Sequence, residues 1–144
     1  MTKGDLARQN FKSGYNCSQA VALAFQDKIG MDPDTIARLT IGFGGGMGRM
    51  REVCGTISGV TFVLSALYGD RPKSEVYARV QQVAKGFQAE RGSLVCRVLL
   101  GLDPSVKPTP QAEPRTEGYY KKRPCAELCA LAADLLEDYL KNIT

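Results

Sequence analysis

Apolar residues in this chain recur at helical spacing between glycines and prolines, and nowhere do they alternate as a half-buried strand requires. That pattern predicts helices and little else. Leu6 and Phe11 anchor a first helix over Asp5 to Lys12, stopped by Gly14. Asn16 is placed as the N-cap of a second, which starts at Cys17, carries Ala20, Val21, Leu23, Ala24 and Phe25, and ends at Gly30. Asp32-Pro33 combines a capping aspartate with proline at the first helical position and opens a third, with Ile36, Leu39 and Thr40. The most apolar segment, Arg51 to Tyr68, is too long for an average strand and is expected as a buried helix, although Val53, Thr56, Ile57, Val60, Thr61 and Val63 are β-branched. Ser74 is expected to cap a long amphipathic helix with Val76, Tyr77, Val80, Val83, Ala84 and Phe87 on its apolar face. Leu94 to Leu100 is a short helical turn around Cys96. Pro104, Pro108, Pro110 and Pro114 make residues 102–118 an irregular loop, and Pro124 starts the last helix, with Leu128, Leu131, Leu135 and Leu136 inward. The expected fold is all-α: a compact, single-domain bundle of about six helices over residues 1–144, with a Pro-rich loop before the last helix.

Composition narrows the chemistry. The chain has no histidine, which excludes Ser-His-Asp and Cys-His catalysis, Cys/His zinc sites and His-ligated haem. No apolar run approaches the roughly 20 residues of a membrane span. The opening MTKGDLARQNF lacks the apolar core of a secretory signal, so a cytoplasmic location is expected. The net charge of +4 is weak, and the one tight basic run, Lys121-Lys122-Arg123, is more simply a solvated turn than a nucleic-acid contact.

Residues 43–59, FGGGMGRMREVCGTISG, concentrate glycine at Gly44, Gly45, Gly46 and Gly48. They match neither the dinucleotide fingerprint, because Met47 or Arg49 falls where its third glycine belongs, nor a P-loop, which needs a following Gly-Lys-Ser/Thr. No nucleotide is expected. The remaining readings are a weak anion cradle of glycine amides with Arg49 and Arg51, and a tight backbone approach into the buried helix. Gly55 and Gly59, four apart, form a smooth stripe against which another backbone can pack.

Five cysteines are present: Cys17, Cys54, Cys96, Cys125 and Cys129. In a reducing compartment, five is not a disulfide framework, and buried filler is the plain alternative for each. Cys17, Cys54 and Cys125 fall at or near expected helix N-termini, where exposed amides favour a thiolate. Arg51, three residues before Cys54, strengthens the expectation of a lowered Cys54 pKa. Cys125 and Cys129 lie four apart on one helix face, with no C-x-x-C present.

The runs Gly14-Tyr15-Asn16-Cys17-Ser18-Gln19-Ala20-Val21, FGGGMGRMREVCGTISG, Gly92-Ser93-Leu94-Val95-Cys96 with Leu99-Leu100-Gly101, and Arg123-Pro124-Cys125-Ala126-Glu127-Leu128 resemble the C-GCAxxG-C-C family. Four motif blocks occur in order over nearly the whole chain. The resemblance implies redox activity resting on four cysteines, here Cys17, Cys54, Cys96 and Cys125, with Gly55 and Gly59 matching the central glycines. Thr56 stands where that motif has alanine, and Cys129 lies outside it. The family is also similar in fold to the helical domain of split-Soret cytochromes, but this chain has no C-x-x-C-H site and haem attachment does not carry over.

Three functions follow as expectations. The four cysteines hold an iron–sulfur cluster or another metal for electron transfer with a redox partner protein, beside the loop glycines, Arg49 and Arg51. Alternatively, Cys54 attacks as a thiolate in thiol/disulfide exchange, with another cysteine resolving. As a third reading, the protein is a non-enzymatic helical module whose glycine stripe forms a homodimer contact.

Overall fold

The structure is a computed structural model that describes residues 1–144. Its elements are α1 (Lys3–Lys12), α2 (Cys17–Ala24), α3 (Gln26–Ile29), α4 (Pro33–Thr40), a 3₁₀ turn (Ile41–Phe43), α5 (Gly55–Tyr68), α6 (Lys73–Arg91), α7 (Cys96–Leu99), α8 (Glu117–Lys122) and α9 (Cys125–Ile143). No strand forms; one isolated bridge pairs Val53 with Val95. The all-α class matches expectation. The count is nine α-helices rather than about six: the stretch expected as one helix from Cys17 to Gly30 divides at Phe25 into α2 and α3, and α7 and α8 stand as separate short helices.

Local signals explain most starts. Thr2 and Asn16 close capping boxes with Asp5 and Gln19, and Asp32 accepts from the Thr35 amide with Pro33 behind it. Ser74 is not a cap: α6 begins at Lys73 after Pro72 and has no side-chain cap. The largest shift is at α5, which starts at Gly55 rather than Arg51. Residues 52–54 are extended instead, because the Cys54 amide donates to Leu94 O (2.8 Å) and the Cys96 amide to Glu52 O (2.6 Å).

Helix α2 is the central element. Seven of its eight residues are buried, and it packs on α1, α4, α5 and α9. Phe11, Phe25, Phe87, Ile36, Leu64 and Leu136 fill the core around it. At the start of α1, Asp134 and Glu137 of α9 accept from the Gly4 and Lys3 amides (2.8 and 3.2 Å), placing negative charge at that helix N-terminus. No helix is long and apolar enough to cross a membrane.

The Gly55–Gly59 stripe is covered by α2 of the same chain, so it is not the subunit contact expected of a homodimer. A methyl built on Gly59 would lie 2.9 Å from Ser18 O and 3.0 Å from Val21 Cβ.

Candidate functional site

The N-terminal ends of four helices converge on one cavity of about 420 Å³. Cys17 is the first residue of α2, Cys54 the N-cap of α5, Cys96 the first residue of α7 and Cys125 the first of α9. All four line the cavity, and each is 4–9% exposed. The sequence had pointed to helix N-termini for three of them; Cys96 is the fourth, and only the extended pairing of 52–54 with 94–96 brings it there.

The cysteines fall into two groups. Cys17 and Cys125 face each other closely enough for their thiols to hydrogen-bond, and Cys129 meets Cys17 from the core side, its sulfur 4.0 Å from Cys17 O. Cys129 is fully buried and does not line the cavity. Cys54 Sγ lies 3.1 Å from the Thr56 hydroxyl and Cys96 Sγ 3.7 Å from Arg51 Nη1. All five thiols are free. No three cysteine, aspartate or glutamate side chains are grouped closely enough to hold a metal ion as the side chains stand.

The glycine loop brings backbone close to Cys96. A methyl on Gly46 would come within 2.7 Å of both Cys96 Cβ and the Glu52 amide nitrogen, and Gly46 has φ of 75°. The loop coils on itself: the Gly48, Arg49, Arg51 and Glu52 amides donate to the carbonyls of Gly42, Gly44, Gly45 and Gly46. Those four amides are spent within the loop, whereas the Gly45 and Gly46 amides have no hydrogen-bond partner. Its positive charge is in side chains. Arg49 and Arg51 sit at φ of 61° and 62°, a left-handed conformation costing roughly 1–2 kcal/mol per residue. That backbone turns both guanidinium groups toward the cavity, where they line it beside Gly44, Gly45, Gly46, Gly48 and Gly55. Gly59 lies outside the cavity and serves packing alone.

Arg123, expected with Lys121 and Lys122 as a solvated turn, is instead part of the wall, and Glu113 and Arg115, which belong to no motif, complete it. Tyr119 and Leu128 line it beside them. Arg115 stacks on the Phe11 ring at 4.0 Å and donates to Phe11 O and Tyr15 O, fastening the Pro-rich strap to α1. The available signal was Glu113-Pro114-Arg115, a charged pair inside a proline-rich stretch, next to the Arg123-Pro124-Cys125 block.

The expected low Cys54 pKa is corrected. Burial pushes the Cys54 thiol up to about 11, partly offset by the Thr56 hydroxyl. Arg51 approaches Cys96 instead, because the extended 52–54 segment separates it from the α5 N-terminus. Burial also raises Cys96, against the pull of Arg51. Cys125 is raised first by its hydrogen bond to Cys17 and then by burial. Cys17 gains from that same bond, but Cys129 and burial outweigh it and hold Cys17 well above the ordinary thiol range.

The sign of the Cys54 shift gives a test. A pKa raised in the folded state stabilises the fold fully below the unfolded value of 9.0, and that stabilisation is lost as pH climbs toward 11. The loss is on the order of 3 kcal/mol. Alkylation of native Cys54 is expected to rise with pH to a midpoint near 11, and at pH 8 to run about a hundredfold slower than in the unfolded chain. Residue-resolved iodoacetamide labelling measures this, and a midpoint below 9 would contradict it.

The family model described as "Putative redox-active protein (C_GCAxxG_C_C)" matches residues 15–139. The chain belongs to this family, and all four of its motif cysteines line the cavity. No curated protein and no solved structure matches the chain.

Proposed function

We propose that the protein is a dithiol reductant whose two-electron centre is the Cys17–Cys125 pair. What supports this is that Cys17 and Cys125, the first residues of α2 and α9, line the same cavity close enough for each to shift the other's titration. In this reading Cys17 is the attacking sulfur, because the neighbouring Cys125 thiol favours its charged form. Cys17 attacks a disulfide substrate and forms a mixed disulfide, releasing the first substrate thiol. Cys125 then attacks Cys17 Sγ and releases the second. The pair gives up two electrons and two protons and forms one S–S bond, and the substrate becomes two thiols. A redox partner returns the two electrons and two protons. Because the resting thiols are neutral, the reduced state gains nothing from thiolate stabilisation, which favours a donor rather than an oxidant. Cys54 moves from attacking group to cavity wall in this reading.

A second reading, an iron–sulfur cluster or other cysteine-bound metal, has one observation in its favour: Cys17, Cys54, Cys96 and Cys125 share a cavity. One experiment separates the two. Protein purified without oxygen is analysed for iron, sulfide and zinc, and its thiols are titrated before and after treatment with diamide. The dithiol reading predicts metal-free protein whose five titratable thiols fall to three. Stoichiometric metal, or five thiols after oxidation, would overturn it.

A further inference from the structure

Beside the thiols, the cavity holds an excess of positive charge organised around one side chain. Three guanidinium groups converge on a single carboxylate oxygen, Glu113 Oε1: Arg123 at 2.6 Å, Arg49 at 3.4 Å and Arg51 at 4.0 Å. Their side chains are only 12–21% exposed, whereas Glu113 is 40% exposed. Three cations against one anion leave two positive charges unmatched in a largely desolvated wall. Burial and the nearby Arg51 guanidinium depress the Arg49 pKa, as an under-compensated cluster should show. The arginines are also held for the task. Arg49 and Arg51 accept a left-handed backbone to reach this point, and Arg123 directly precedes the Pro124-Cys125 start of α9.

Glu113 is placed as a resident ligand rather than as a structural counterion. It projects from the strap joining α7 to α8, where every residue from Gln111 to Pro114 is exposed. The strap does not depend on this carboxylate. Arg49 Nη1 holds the backbone carbonyls of Thr109 (2.8 Å) and Gln111, and Arg115 ties the next turn to Phe11 O and Tyr15 O. Glu113 can therefore swing out toward solvent while the strap stays anchored.

We infer that the Arg49, Arg51 and Arg123 cluster is a binding site for a carboxylate-bearing small molecule that displaces Glu113 and lies against the cavity cysteines. The chemical class is set by the occupant: a side-chain carboxylate already fills the position, and paired guanidinium groups match carboxylate geometry. This inference rests on the dithiol reading only for its consequence, that the substrate is an acidic disulfide. The site itself stands apart from the thiol chemistry.

The test uses a probe without sulfur. Glutarate, a dicarboxylate of glutamate-like length, is titrated calorimetrically into the fully reduced protein, alongside inorganic phosphate. Glutarate is expected to bind the wild type, and Glu113→Gln is expected to tighten it about tenfold by removing the competing carboxylate. Adding Arg123→Gln to that variant is expected to weaken binding by about tenfold or more. The melting temperature is recorded for each variant to show that the fold is intact. No heat with glutarate in either the wild type or E113Q would overturn the proposal, as would equal affinity in the two, or phosphate binding tenfold tighter than glutarate. Because glutarate cannot react with thiols, failure here leaves the dithiol reading intact, and failure of the oxidation experiment leaves this site intact.

Discussion

Replacing Gly59 with valine is expected to destabilise the fold by about 3 kcal/mol or more and to lower the melting temperature by about 10 °C. The reason lies in the α2–α5 contact. A Cβ at Gly59 would already be 2.9 Å from Ser18 O and 3.0 Å from Val21 Cβ, so even alanine forces a movement. The opposing backbone cannot withdraw cheaply. Ser18 is fully buried and its hydroxyl donates to Thr40 O (2.7 Å), while α2 is enclosed on its other sides by α1, α4 and α9. A displaced α2 also moves Cys17, so redox behaviour should degrade together with stability. Gly86 provides the contrast. Gly86 lies inside α6, a methyl there meets only Leu135 of α9 at an ordinary 3.7–3.8 Å, and Gly86→Ala is expected to stabilise by roughly 0.5–1 kcal/mol. Thermal unfolding of the two variants checks both signs, and a neutral Gly59→Val would mean that the helix contact is looser than described.

Substitution of the two paired cysteines is expected to separate their roles completely. Cys17→Ser removes the attacking sulfur, and turnover of a small disulfide such as glutathione disulfide should fall to background. Cys125→Ser removes the resolving sulfur, so one turnover should stall as a mixed disulfide on Cys17, visible as the added mass of one substrate half. Cys54→Ser should retain most of the activity, since Cys54 faces Thr56 rather than the pair. Cys129→Ser introduces a hydroxyl into a fully buried position against Cys17 and should perturb the rate without trapping an intermediate. A mixed disulfide on Cys54 instead would restore it as the attacking group.

Local chemistry made much of this architecture legible. Asn16 and Asp32-Pro33 mark helix starts because their side chains satisfy amides a few residues away, and such contacts can be seen in a short window of sequence. The Gly55–Gly59 spacing announced a close backbone approach, and α2 supplies it. The four family cysteines indicated where chemistry gathers. What escaped depended on contacts distant in the chain. The Cys54 amide bonds Leu94 O, 40 positions on, and with the Cys96 amide on Glu52 O this keeps 52–54 out of helix. That separation sends Arg51 to Cys96 and leaves burial to dominate the Cys54 thiol. Helix α8 overlaps the end of the expected 102–118 loop and the basic turn after it, because Glu117–Lys122 shows no apolar period and depends on Thr116 capping the Tyr119 amide. Glu113 and Arg115 were hidden by their prolines: a Pro-rich strap suggests an irregular connection, not a wall that places charge in a cavity.

The most direct test of the central claim is to find which sulfurs join. Reduced protein is oxidised with diamide, residual thiols are blocked, and the peptides are mapped by mass spectrometry without reduction. The account predicts one linkage, Cys17 to Cys125, with the mass of two hydrogens lost and Cys54, Cys96 and Cys129 blocked as free thiols. A linkage between Cys54 and Cys96, or no linkage with a metal bound instead, would contradict it.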